Sequence, residues 1–183
     1  MRVGIAISQT LAQKLDSPAM RLCTLAAILS SGLITSCTKS ELRYESASME
    51  PSITRGELIT IEPAAYRGSK PARWDVVLFE APTGSGGSWA SRIAGLPGET
   101  VNFRDGSLLI DGELVERPAH VAIAGFHAPD GDLSPAAPGP VSFPFKIPAG
   151  SYFVLGDNVD NALDSRYWGG LDEAKILGKV AGK

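Results

Sequence analysis

The chain is poor in the side chains that build cofactor and metal sites. Of its 183 residues, two are cysteines and two are histidines. Cys23 and Cys37 both lie in an N-terminal apolar stretch, so the remainder can form neither a disulfide framework nor a thiolate metal site. No metal and no cofactor is expected. Basic charge is not in excess either: 17 Lys and Arg stand against 20 Asp and Glu, a net charge of −3, so nucleic acid is not an expected partner. Long apolar runs are missing as well. The most apolar part, residues 22–34, is shorter than the roughly 20 residues that cross a bilayer comfortably as a helix. There is no internal repeat.

What is plentiful is glycine and proline, at 20 and 13 residues, which suits short strands joined by many turns. A polar–apolar alternation over 57–62 predicts a half-buried strand closed by Pro63. Residues 74–80 (WDVVLFE) predict a second strand, more continuously apolar. A flexible connection over 81–88 leads to a third at 89–94, stopped by Pro97-Gly98. Asp105-Gly106 and Asp111-Gly112 flank Leu108 to Ile110, the pattern of a hairpin or meander within 102–114. Residues 124–140 read as a long exposed loop. Residues 152–155 read as a buried strand, and only 171–180 as a helix. The expected fold is mainly β and antiparallel, with 41–183 as one domain and 101–150 as a reduced insertion.

The segment 1–40 reads differently. Arg21 precedes an uncharged run over 22–38 that ends in small residues, the pattern of an export signal. Met20 would make an ordinary signal start, so either Met1 or Met20 can be the true one. The run 33–37 (LITSC) resembles a bacterial lipobox, which would make Cys37 a lipidated residue. A short membrane anchor and an internal helix are the other readings. The first two tether the domain at a membrane, on its extracytoplasmic or periplasmic side.

The chain is organised around residues 44–56, YESASMEPSITRG. Pro51 fixes its own φ and biases Glu50 away from the helical region, so Ser48 falls at a bend before a strand. A hydroxyl presented on such a bend, with its own N–H alongside, suits an acyl-transfer nucleophile with an oxyanion donor. An ordinary serine-rich turn reads the same way.

Four segments resemble the bacterial signal peptidase I family. Residues 46–52 are similar to its Ser-x-Ser-Met-x-Pro-Ser box. Residues 73–79 are similar to its Arg-Gly-Asp-Val-Val-x-Phe strand, with Trp74 in place of glycine. Residues 92–99 (RIAGLPGE) and 156–169 (GDNVDNALDSRYWG) resemble its third and fourth boxes. The resemblance implies coiled antiparallel β-sheets and an extended signal peptide bound by strand addition at a sheet edge. It implies cleavage after small residues, with small side chains at −1 and −3 of the substrate. It makes Ser48 the nucleophile, and the Ser48 N–H and Ser46 hydroxyl the oxyanion donors. Asp164 and Arg166 become a supporting ion pair, and Gly156, Asp157 and Asn158 the turn that frames the site.

Two departures bear on chemistry. Family members carry a lysine base directly before the arginine of the third box, and this chain has Ser91 there. A serine two residues before Asp164 helps hold that amine in the family, and here it is Ala162. Neither a hydroxyl near pH 7 nor the Arg92 guanidinium can act as the base. Lys70, His120, His127, Glu50 and Glu99 are the substitute bases weighed. The expectations are a serine endopeptidase weakened by its missing base, or a catalytically inactive peptide-binding homologue. A self-cleaving domain like those of LexA-type repressors fits poorly, because no DNA-binding segment precedes the boxes.

Overall fold

The computed structural model describes residues 39–82, 86–119, 121, 125–128 and 141–183. Residues 1–38 of the expected signal segment, with Cys37, the candidate base His120, and residues 124 and 129–140 of the expected loop lie outside these. Among the described residues no helix is long and apolar enough to cross a membrane.

The chain enters on strand β1 (Ser40–Tyr44), which pairs antiparallel with β2 (Glu57–Glu62), Tyr44 opposite Glu57. Strand β3 (Val76–Glu80) pairs with β4 (Ser88–Gly95), and β4 continues onto β9 (Ser151–Leu155). The last strands are β10 (Leu171–Asp172) and β11 (Ile176–Val180). Together they form a seven-stranded sheet in the order β1-β2-β11-β3-β4-β9-β10. Every pairing is antiparallel.

The sheet coils far enough to bring distant strands together. The Tyr44 hydroxyl on β1 lies 3.4 Å from the Ala90 carbonyl on β4, although β2, β11 and β3 lie between them in the sheet order. Inside the coil Ile59 and Ile61 of β2 meet Val76 and Leu78 of β3, Ala90 of β4 and Val180 of β11. The other face of β3 and β4 buries Val77, Phe79 and Ile93 against Tyr152, Val154 and Leu171. Strand β3 is buried on both sides, which is why its sequence is continuously apolar while that of β2 alternates.

A second, four-stranded sheet is ordered β7-β6-β5-β8, from β5 (Thr100–Arg104), β6 (Ser107–Ile110), β7 (Glu113–Leu114) and β8 (Phe145–Lys146). Its hairpins turn at Asp105-Gly106 (φ 49° and 75°) and Asp111-Gly112 (φ 51° and 87°). Two successive positive φ values are what a tight two-residue hairpin turn demands.

Two sequence expectations are corrected. Residues 171–180 are not a helix. One 3₁₀ turn, Glu173–Lys175, separates β10 from β11, and β11 lies between β2 and β3. A Cβ on Gly178 would sit 2.9 Å from the Glu62 carbonyl oxygen, so the strand packs too closely for any other residue there. Phe126, placed in an exposed loop, is buried and stacks on Trp74 at a centroid distance of 6.3 Å.

Candidate active site

The Ser48 turn is fixed from beneath. Met49 and Ile53 are fully buried, and Ile53 N–H donates to the Met49 carbonyl at 2.9 Å. Each anchor contributes about 1.5–3 kcal/mol on burial. Glu50 N–H donates to the Ala47 carbonyl at 3.2 Å, and the Glu50–Pro51 peptide is cis. With both neighbours on the core side held down, half-buried Ser48 is left facing out into a groove of about 540 Å³.

One wall of this groove is β1 and the serine turn. The other is Ser88 to Ser91 of β4, with Ala162 and Leu163 closing one end. On β4, residues 88–92 pair with β3, whereas β9 pairs only from Arg92 onward. The second edge of β4 over 88–91 therefore pairs with no described strand and borders the groove. An open edge of this kind accepts an extended peptide as an added strand.

The expected framing turn behaves as a clamp. Asn158 donates its backbone N–H to the Ser48 carbonyl at 3.0 Å and its side-chain amide to the Ala47 carbonyl at 3.1 Å. Gly156 is required by this approach: a Cβ there would collide with Ala162 and lie 2.6 Å from the Ser48 carbonyl oxygen. Asp157 is bound by Arg92 through Nε at 2.8 Å and Nη2 at 2.6 Å. The same guanidinium donates to the Trp74 carbonyl at 2.8 Å and to Ser52 Oγ at 3.3 Å, so one buried arginine ties β4 to the serine turn and the clamp.

Asp164 and Arg166 form a second buried pair. Asp164 accepts from Arg166 Nε at 2.8 Å, Arg166 Nη2 at 2.9 Å, Arg166 N at 3.1 Å and Gly156 N at 3.0 Å. Burial pushes the Asp164 carboxyl upward, and these donors oppose it. Asp164 also caps the single helical turn α1 (Ser165–Trp168). Arg166 reaches the Val159 carbonyl at 2.6 Å and so braces the loop that carries Ala162.

The two expected oxyanion donors sit together but face each other. Ser48 N–H donates to Ser46 Oγ at 3.2 Å, and Ser46 Oγ–H donates to Ser48 Oγ at 3.1 Å. Ser91 lines the groove, yet no hydrogen bond links it to Ser48. The weighed substitutes among the described residues are engaged elsewhere. Lys70 pairs with Glu173, His127 with Asp160 at 2.8 Å, and Glu99 with Arg73 at 2.6 Å. Glu50 accepts from the Arg55 amide at 3.4 Å.

One group was not anticipated. Tyr44 Oη lies 2.9 Å from Ser48 Oγ. Among the described residues it is the only titratable side chain within hydrogen-bond reach of that hydroxyl. Burial pushes its phenol above the ordinary value, partly opposed by its hydrogen bonds with the two serines. No sequence motif marks it. It reaches Ser48 from four residues upstream, across the end of β1.

Known proteins resemble this chain over most of its length. The family described as "Signal peptidase, peptidase S26" matches residues 19–182. Signal peptidase I V of Bacillus subtilis is 33% identical over 145 residues, covering 77% of this chain and 83% of that protein. Signal peptidase I of Leptolyngbya laminosa is 31% identical over 179 residues, covering 91% and 80% respectively. A crystal structure of a signal peptidase I from Enterococcus faecalis V583 aligns with a TM-score of 0.46 at 31% identity, over 61% of this chain and 97% of that one. The chain belongs to the signal peptidase family, peptidase S26.

Proposed function

We propose that this chain is a signal peptidase I-type serine endopeptidase with Ser48 as nucleophile, working slowly because no amine among the described residues faces it. The observation that carries the reading is the position of Ser48 Oγ in a groove bordered by the open edge of β4. A signal peptide in extended form adds to that edge, with small residues at −1 and −3 facing the groove. Ser48 Oγ attacks the scissile carbonyl. Ser46 Oγ–H and Ser48 N–H turn from each other to the developing oxyanion. Asp164 and Arg166 hold the loop that carries Ala162, and Gly156 to Asn158 hold the Ser48 backbone.

The missing amine sets the rate. A positioned base contributes about 10²- to 10⁴-fold. Oxyanion stabilisation and binding alone leave roughly 10³-fold over water. The protein is placed at the extracytoplasmic face of a membrane, tethered through residues 22–38 or through a lipid on Cys37.

A peptide with alanine at −1 and −3, incubated with stoichiometric protein, is expected to be cut after the −1 residue. Ser48→Ala is expected to stop this. Retained cleavage in that variant would remove Ser48 from the mechanism. The second reading, a peptide-binding homologue without catalysis, is favoured by Ser91 and Ala162 together. It predicts saturable binding of the same peptide with no cleavage and no acyl adduct of Ser48 by a penem. Cys37→Ser separately tests the lipid: labelling by a fatty-acid probe should vanish, and an unchanged labelled band would reject that anchor.

A further inference from the structure

We propose that Tyr44 is the proton acceptor for Ser48, so that the chain runs its peptidase chemistry on a serine–tyrosine pair. This rests on the reading of Ser48 as nucleophile and adds the group that reading lacks.

Tyr44 Oη, Ser48 Oγ and Ser46 Oγ form one chain of hydroxyls. Ser46 Oγ–H donates to Ser48 Oγ at 3.1 Å, and the neutral phenol has two acceptors in reach, Ser48 Oγ at 2.9 Å and the Ala90 carbonyl at 3.4 Å. A hydroxyl has one proton to give. In the phenolate form Tyr44 Oη carries no proton, so the Ser48 proton is the one shared along the 2.9 Å contact. In that form the nucleophile's hydrogen points at the phenolate oxygen, and Ser46 Oγ–H holds one of its lone pairs.

The surroundings keep this contact in place. Tyr44 is buried at the end of β1, in the interior cluster with Ile59 and Ile61 of β2, Val76 and Leu78 of β3, Ala90 of β4 and Val180 of β11. None of these neighbours titrates. The ionisable groups that face it are few. Asp157, on the clamp, opposes the phenolate. Arg43 and Glu45 lie at the groove rim beside it. Ser46 and Ser48 favour the phenolate through hydrogen bonds.

The steps balance. The Tyr44 phenolate takes the proton from Ser48 Oγ as the Oγ–C bond forms, and the carbonyl electron pair moves to oxygen. As that pair returns and the C–N bond breaks, Tyr44 Oη–H gives its proton to the departing amine, restoring the phenolate. The phenolate then takes a proton from water, and the resulting hydroxide attacks the Ser48 ester. Ser48 leaves, recovering the proton from Tyr44.

The test is the pH profile of peptide cleavage by the full chain, using the same alanine-bearing peptide. The phenolate is scarce at neutral pH, so kcat/KM is expected to rise about tenfold per pH unit between roughly pH 7 and pH 10. Tyr44→Phe removes only the hydroxyl and is expected to lower the rate at about pH 9 by roughly 10²-fold or more and to flatten the profile. Replacement of Tyr44 by 3,5-difluorotyrosine, whose phenol is more acidic, is expected to move the rising limb to lower pH. A merely structural phenol would not produce that movement. Equal rates for wild type and Tyr44→Phe, with Ser48→Ala inactive, would overturn the role of Tyr44 and leave Ser48 as nucleophile. An unmoved limb in the fluorinated protein would do the same. Absence of cleavage by the wild type at every pH would overturn the peptidase reading and this inference together.

Discussion

Trp74 shows how a single residue can carry a local cost for a wider gain. Its φ of 76° lies in the left-handed region, where a Cβ costs about 1–2 kcal/mol. Its ring stacks on Phe126, and its carbonyl accepts from the Arg92 guanidinium. Trp74→Gly and Trp74→Ala lose the same stack, and only glycine is relieved at φ. Trp74→Gly should therefore be the more stable of the two by about 1 kcal/mol, read from denaturant midpoints. Equal midpoints would show that the φ is not strained. Ser91 and Ala162 invite the opposite change. Ser91→Lys with Ala162→Ser supplies an amine and its acceptor on the wall of the same groove, and should raise cleavage near pH 7 by about 10²- to 10⁴-fold. A doubly substituted protein that stays as slow as wild type would count against the proposed site geometry. At this scale the motif residues were legible because each box keeps its chemistry within a few positions. Tyr44 was not. It meets Ala90 because the sheet coils and Ser48 through the bend of the serine turn, and nothing local in YES signals either.

Arg92 is the hub of the elements around the groove, joining β4, the Trp74 turn, Ser52 and the Asp157 clamp. Both partners of its ion pair are almost fully buried. Removing one leaves a charge without a counterion, so Asp157→Asn should cost about 3–5 kcal/mol in unfolding free energy. Asp157→Leu with Arg92→Met should cost less than the sum of the single changes. Additive losses in chemical denaturation would mean that the pair is not coupled. A weaker tie holds the segment around His127. His127 donates to the Ala128 carbonyl and meets Asp160, and the first of these contacts leads in raising its imidazole above the ordinary value. A raised histidine stabilises fully below its unfolded value, roughly 6.5, and that contribution is lost as pH climbs through the folded value. Because the side chain is 46% exposed, the effect on stability is small. The NMR titration of His127 should centre above roughly 6.5, and a midpoint at or below that would contradict the contacts. Among the elements, β2, β3, β4, β9 and the two Asp-Gly hairpins follow directly from residue patterns. Strand β1 escaped notice because SELRY is an edge strand whose side chains are mostly exposed. Residues 171–180 misled because helical spacing in a short segment is outweighed by backbone pairing on both sides.

At the scale of the whole domain, chain order and sheet order part company. The last strand, β11, fills the slot between β2 and β3. Val180 is buried in the interior cluster, Ala181 N–H donates to the Thr60 carbonyl at 2.9 Å, and Lys183 reaches the Ser52 carbonyl at 2.7 Å. Local patterns identify strands but not their neighbours, so this order was not legible from sequence, whereas the mainly β class was. Deleting residues 176–183 should abolish cooperative unfolding, and a sharp thermal transition in the shortened chain would show that β2 and β3 close without β11. The consequence extends to how copies of the protein are made. A product released early, from a broken message or a stalled ribosome, would carry two open sheet edges in its middle, a template for aggregation and a target for proteases. Unfinished copies are thus marked for removal by their own shape, before a half-built groove can meet a substrate.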